Sequence, residues 1–210
     1  HANDFVLAGE SLIEAEDWKL AQEAFDKAIE KAGTNMMTVV ARATIGKAKA
    51  LKEKGEYLSA LADIEKYFEN KRLSAMPIST NACMLAVDIG LKQGKIERDA
   101  QIRDNYYAAA NAALARLRNY WVKEPQWKRD TVEIMSADAH LAQAACEESK
   151  GNAEKAASIR GKLAVSLYSF INARKPVEAK PEQAEGSQQV QTGGKTLDQF
   201  TPEELAILEE

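Results

Sequence analysis

The sequence predicts an all-α fold. Three observations carry that reading. Small and large apolar residues recur three and four positions apart over long stretches, the period of one helix face. Those stretches are rich in alanine, and runs of the β-branched residues that favour strands are few. The breaks between them hold Gly, Asp, Asn or Pro, which stop or start helices. At 210 residues, 45% hydrophobic and 29% charged, the chain has an ordinary soluble composition. Its length suits one domain or an elongated array.

The first helix pair covers residues 3–15 and 17–32. Phe5, Ala8, Gly9 and Leu12 share one face of the first helix, and Ala21, Phe25 and Ala28 one face of the second. Gly9 and Ala21 are small enough to let two helix backbones approach, and Phe25 fills the wedge between them. Glu16-Asp17-Trp18 is the turn, with Asp17 as N-cap. Gly33-Thr34-Asn35 ends the pair. This pattern resembles the tetratricopeptide repeat, W-x2-L-G-x2-Y, then A-x3-F, then P. Phe5 stands for the Trp, Ala8-Gly9 for Leu-Gly, Leu12 for the Tyr, Ala21-x3-Phe25 for A-x3-F, and Gly33 for the Pro. The resemblance implies a short right-handed α-solenoid of three to four helix pairs with a flexible C-terminal tail.

A second pair follows, its first helix over residues 37–54. The turn is Gly55-Glu56-Tyr57, 39 residues after Glu16, against 34 in the family. Ala48 and Leu51 take the places of Gly9 and Leu12. Ala60, Ile64 and Tyr67 make the stripe of the partner helix. A third pair is predicted over 79–92 and 97–121, with Gly94-Lys95-Ile96 as its turn. Cys83, Met84, Val87 and Leu91 mark its first helix. Ile102, Tyr106, Ala110, Ala113, Leu117 and Trp121 mark its long second helix. Asp99-Ala100 stands where a small residue is expected, so close packing is not predicted there. Pro125 stops this helix and biases Glu124 away from helical geometry. The fourth pair turns at Gly151-Asn152. Val132, Met135, Ala139, Ala142 and Cys146 face Ala156, Ile159, Leu163, Leu167 and Phe170. Ala144 and Ala156 restore the small-residue contact.

These pairs define a repeat domain over residues 1–174. Residues 175–195 are rich in Pro, Gln, Glu and Gly and read as a flexible linker, too poor in apolar surface to offset ordering entropy. Residues 196–210 read as a short amphipathic helix. Thr201 is its N-cap, Pro202 its first residue and Glu204 the capping-box partner. Leu197, Phe200, Leu205, Ile207 and Leu208 give it an apolar face. A helix this short is marginal alone, so docking is expected, with Phe200, Leu205 and Leu208 as anchors and Glu204 and Glu209 near the basic residues Arg42, Lys49 and Lys52.

Chemistry is sparse. A net charge of −4 with no clustered Lys and Arg argues against a general nucleic-acid binder. No apolar run reaches the roughly 18 residues of a membrane span. Cys83 and Cys146 lie far apart on apolar stripes, which suits buried thiols and gives no zinc or redox spacing. Only His1 and His140 are present, so a multi-histidine metal site is excluded. Ser136 shares a helix face with His140 but Asp138 does not, leaving no catalytic constellation and no expected cofactor. There is no phosphate-loop or dinucleotide-binding spacing. Glu147-Glu148 and Glu209-Glu210 read as solvated charge. Tyr106-Tyr107 reads as packing plus one exposed ring. The chain begins at His1, which suits either a tag remnant or a processed terminus.

What remains is a surface. The resemblance implies that first helices of successive pairs line a peptide-binding groove. By position these are Asn3, Val6, Glu10 and Ile13, then Arg42, Ile45, Lys49 and Lys52, then Asn81, Met84, Asp88 and Leu91. The expected pattern is apolar sides with a basic middle. The family's chaperone-tail groove uses Lys and Asn where Val6 and Glu10 stand, so that adaptor role is not expected. The expected function is a non-catalytic scaffold or adaptor for a protein or peptide partner. A self-assembling subunit using its C-terminal tail is the alternative, and an enzyme built on His140 a third reading. Bacterial accessory proteins of secretion and outer-membrane assembly resemble this layout, which points to an extracytoplasmic location.

Overall fold

The computed structural model describes residues 1–174, and among them the chain is all-helical. The order is α1 (Ala2–Glu14), α2 (Trp18–Ala32), α3 (Met37–Glu53), α4 (Tyr57–Glu69), α5 (Lys71–Ser74), α6 (Ser79–Ile96), α7 (Ala100–Tyr120), α8 (Gln126–Ser149) and α9 (Ala153–Asn172). The expected linker and terminal helix lie outside the described residues. No described helix is long and apolar enough to cross a membrane.

Caps set the boundaries. Asp17 accepts a hydrogen bond from the Leu20 N–H at the start of α2. Asp99 accepts from Gln101 and Ile102 at the start of α7. Such side chains satisfy amide groups that have no partner inside the helix. Three turns share one backbone pattern. Asp17 N–H reaches the Leu12 carbonyl, Glu56 the Leu51 carbonyl and Asn152 the Glu147 carbonyl, each at 2.9 Å. The preceding residue of each is left-handed: Glu16 at φ 59°, Gly55 at 88° and Gly151 at 82°. This is the left-handed C-terminal stop of a helix. It recurs at three of the four predicted turns.

The turn expected in the third pair falls elsewhere. Gly94-Lys95-Ile96 stays inside α6, and the break falls at Glu97-Arg98-Asp99. Gly94 and Gly90 are buried for a different reason. A Cβ on Gly94 would lie 2.6 Å from the Tyr107 ring, and one on Gly90 2.5 Å from the Tyr106 carbonyl oxygen. The two glycines sit one turn apart on one face of α6 and bring α7 into backbone contact. The close packing thought missing at Asp99-Ala100 is thus made from the other helix. Tyr106 and Tyr107 are both buried at this seam, so neither ring is exposed as expected.

Packing follows chain order, with α1 on α2, α2 on α3, α3 on α4, α4 on α6, α6 on α7, α7 on α8 and α8 on α9. Alternate contacts also form between α1 and α3, α3 and α6, and α6 and α8. Two cores result. One joins α1, α2 and α3 around Val6, Ala21, Phe25, Ala28, Ala43 and Ala50. The other runs from α3 to α8 through Ala48, Ile64, Tyr67, Val87, Leu114, Leu117 and Val132. Helix α3 serves both, which explains its alanines: a helix buried on two sides needs small residues on both. Phe25 is fully buried, as the wedge reading required. A Cβ on Gly9 or Gly46 would come within 2.7 or 2.5 Å of its ring.

Between α4 and α6 the chain makes a short turn that the pattern reading did not anticipate. Asn70 caps α5 by accepting from Arg72 and Leu73. The buried Tyr67 and Ser79 hydroxyls lie 2.8 Å apart, and both reach the Leu73 carbonyl, at 3.0 and 2.9 Å. Tyr120 donates to the Ser74 carbonyl at 2.6 Å. These bonds satisfy backbone carbonyls of the short segment between α4 and α6.

Candidate functional site

Some of the residues expected to line a groove lie together. A hollow of about 460 Å³ is lined by Glu10 and Ile13 of α1, Arg42, Ile45 and Lys49 of α3, and Asn81 of α6. Spacing explains the set: Arg42, Ile45 and Lys49 lie three and four apart on one face of α3. Val6 is not part of it. Its side chain is wholly buried in the core of α1, α2 and α3, because the face carrying Val6 and Gly9 turns toward Phe25.

The middle is less basic than the residue types suggested. Arg42 donates through Nη2 to both Glu10 oxygens at 2.9 and 3.0 Å, and through Nη1 to Asn3 at 3.5 Å. Lys52 pairs with Asp88 at 2.9 Å, and Lys92 with the other Asp88 oxygen at 2.6 Å. Partial burial pushes the Asp88 carboxyl up, but the hydrogen bonds from Lys92 and Lys52 outweigh it and hold its pKa below the ordinary value. The Asp88 hydrogen bond correspondingly raises the Lys52 pKa. Lys49 is exposed and has no ion pair among the described residues. Met84 is 38% exposed and Leu91 half-buried, so α6 adds apolar surface beside the ion pairs. The tail anchors Phe200, Leu205 and Leu208 lie outside the described residues.

Catalytic chemistry gains no geometry. The His140 Nδ1 lies 2.6 Å from the Ser136 carbonyl and 3.4 Å from its hydroxyl. A carbonyl only accepts, so the close contact places the proton on Nδ1 and leaves Ser136 no base there. Asp138 is exposed on another face. Both cysteines are buried, and desolvation pushes the Cys83 thiol up to about 12, far from a reactive thiolate. Among the described residues no cluster of three or more His, Cys, Asp or Glu is placed to hold a metal ion.

Two features escaped the sequence reading. Glu147 is not solvated: its side chain is fully buried and accepts from Asn152 at 2.7 Å, Lys155 at 2.9 Å and Lys150 at 3.1 Å. Lys150 also pairs with Asp104 of α7 at 2.9 Å. The hydrogen bonds from Lys155 and Asn152 hold the Glu147 carboxyl down at about 2. The second feature is an outward stripe on α8. Trp127, Ile134 and Leu141 are 65%, 60% and 49% exposed and recur every seven residues, a spacing that was available in the sequence.

Comparison with protein-family models, with curated proteins and with solved structures found no match.

Proposed function

We propose that the chain is a non-catalytic protein-binding scaffold whose helix pairs stack as a short right-handed solenoid of the tetratricopeptide type. Contacts between α1 and α3, α3 and α6, and α6 and α8 support the stacking, since first helices of successive pairs meet in such an array. The repeated left-handed stop at Glu16, Gly55 and Gly151 supports it further. The observation that carries the function is the open hollow across α1, α3 and α6. Arg42 and Glu10 are paired in it, Lys49 and Glu14 make no ion pair among the described residues, and its apolar floor is Ile13 and Ile45. Such a surface suits a peptide that lays an apolar side chain on the two isoleucines and a carboxylate beside Lys49.

A peptide-library selection against the full chain tests this. Selected peptides should lose at least tenfold affinity on Lys49→Glu or Ile45→Ala, with the helical circular dichroism and melting temperature preserved. Peptides that bind both variants as tightly as the parent would reject the groove.

A further inference from the structure

The last described helix is poorly covered. Of the 20 residues of α9 only Ala156 and Leu163 are buried, while Ile159, Leu167 and Phe170 are half-buried. Helix α7, of similar length, buries six. The end of a helical stack needs a polar outer face or a cap, and α9 presents a cleft with an apolar wall instead. Its two hollows, about 390 and 640 Å³, share Arg118, Glu133, Ser166 and Phe170. Leu163, Leu167 and Phe170 form the apolar wall. Five cations line the cleft, Arg118, Arg129, Lys155, Lys162 and Arg174, against one carboxylate, Glu133. Arg118 is held by that carboxylate, Lys155 by Glu147 and Arg174 by Asp130. Lys162 makes no ion pair among the described residues, and Arg129 makes none within 4.0 Å there, its Nη2 donating to the Gln126 side-chain carbonyl oxygen near Asp130.

We propose that this cleft is the docking site of the chain's own C-terminal segment, residues 196–210. That segment has the complementary composition: Asp198, Glu203, Glu204, Glu209 and Glu210, no Lys or Arg, and Leu197, Phe200, Leu205, Ile207 and Leu208. It also starts from the right place. Arg174, the last described residue, lines the cleft itself, and 21 residues separate it from Thr196. A coil of that length spans about 25 Å, close to the roughly 30 Å length of α9. Tethering at this distance gives an effective concentration near the millimolar range, so a weak contact suffices. The apolar residues meet Leu167 and Phe170, and the glutamates meet Lys162 and Arg129. The groove across α1, α3 and α6 is a poorer host for an acidic segment, because Glu10 and Asp88 already occupy Arg42 and Lys52.

The test compares amide spectra of the full chain with those of full-length Leu205→Asp/Leu208→Asp, whose changes lie outside the described residues. Shifts are expected at Ile159, Lys162, Leu163, Leu167 and Phe170, unchanged on tenfold dilution. Full-length Arg129→Glu/Lys162→Glu should give the same shifts at the unmutated positions. Three outcomes overturn the proposal. The first is no change along α9. The second is a change centred instead on Ile45, Lys49 and Met84 or on Trp127, Ile134 and Leu141. The third is shifts that disappear on dilution, which would assign the contact to a second copy. Peptide binding at Lys49 is read separately and stands or falls without this result.

Discussion

Glu16 is the one non-glycine residue with positive φ among the described residues, at 59°. Its equivalents at the other two turns of the same pattern are Gly55 and Gly151. An L-residue in this region costs roughly 1–2 kcal/mol, partly offset by the greater freedom a glycine would have when unfolded. Glu16 is exposed, so little else is lost on replacing it. Glu16→Gly should therefore raise stability by about 0.5–1 kcal/mol in urea denaturation; a loss would mean that the turn is not strained. Gly90 gives the opposite case. Glycine to alanine within a helix normally gains up to about 1 kcal/mol. Here the added Cβ would meet the Tyr106 carbonyl oxygen at 2.5 Å, and a backbone atom cannot swing aside. Gly90→Ala should cost about 1–3 kcal/mol, the range for overpacking. Equal stability of the two proteins would refute backbone contact between α6 and α7. The sequence showed that Gly94 was special but not why. A glycine reads the same whether it turns the chain or admits a neighbour, and the choice depends on where α7 lies.

Helices were the most legible level. Their periodic stripes, caps and stops depend on neighbours within a turn or two, so α1 to α4, α8 and α9 fell close to where the residues placed them. The elbow between α8 and α9 was legible as a turn and illegible as a charge network. Glu147 looks like any helix-end glutamate until Lys150, Asn152 and Lys155 close over it. Its pKa falls from an ordinary 4.5 to about 2 on folding. A depressed carboxyl contributes stability that is complete above about 4.5 and is lost as pH falls from there toward 2. The Glu147→Gln protein should be less stable at neutral pH and should show a shallower decline over pH 4.5–2. Thermal melts across that range compare the two slopes. Parallel slopes would show that the carboxylate does not carry this pH dependence.

At the scale of the whole molecule, the two cores predict how the protein comes apart. The core of α1, α2 and α3 centres on Phe25, while the core from α3 to α8 contains no α1 or α2 residue. That the chain is all-helical was readable, because stripes, caps and stops are set locally. The division into two cores was not, because it turns on α3 alternating its alanines between neighbours: Ala43 and Ala50 to one side, Ala41 and Ala48 to the other. Phe25→Ala removes a fully buried ring that lies against Gly9 and Gly46, which cannot extend to refill the space. The cost should be about 3–5 kcal/mol. In a structure whose elements contact mainly their neighbours, that loss should stay local. Hydrogen exchange should then show α1 and α2 amides opening in Phe25→Ala at denaturant concentrations where Val87 in α6 and Leu114 and Leu117 in α7 remain protected. Circular dichroism should resolve the early loss of those two helices as a separate step. If instead α6 and α7 lose protection together with α1 and α2, the two cores unfold as one, and α3 transmits the damage between them.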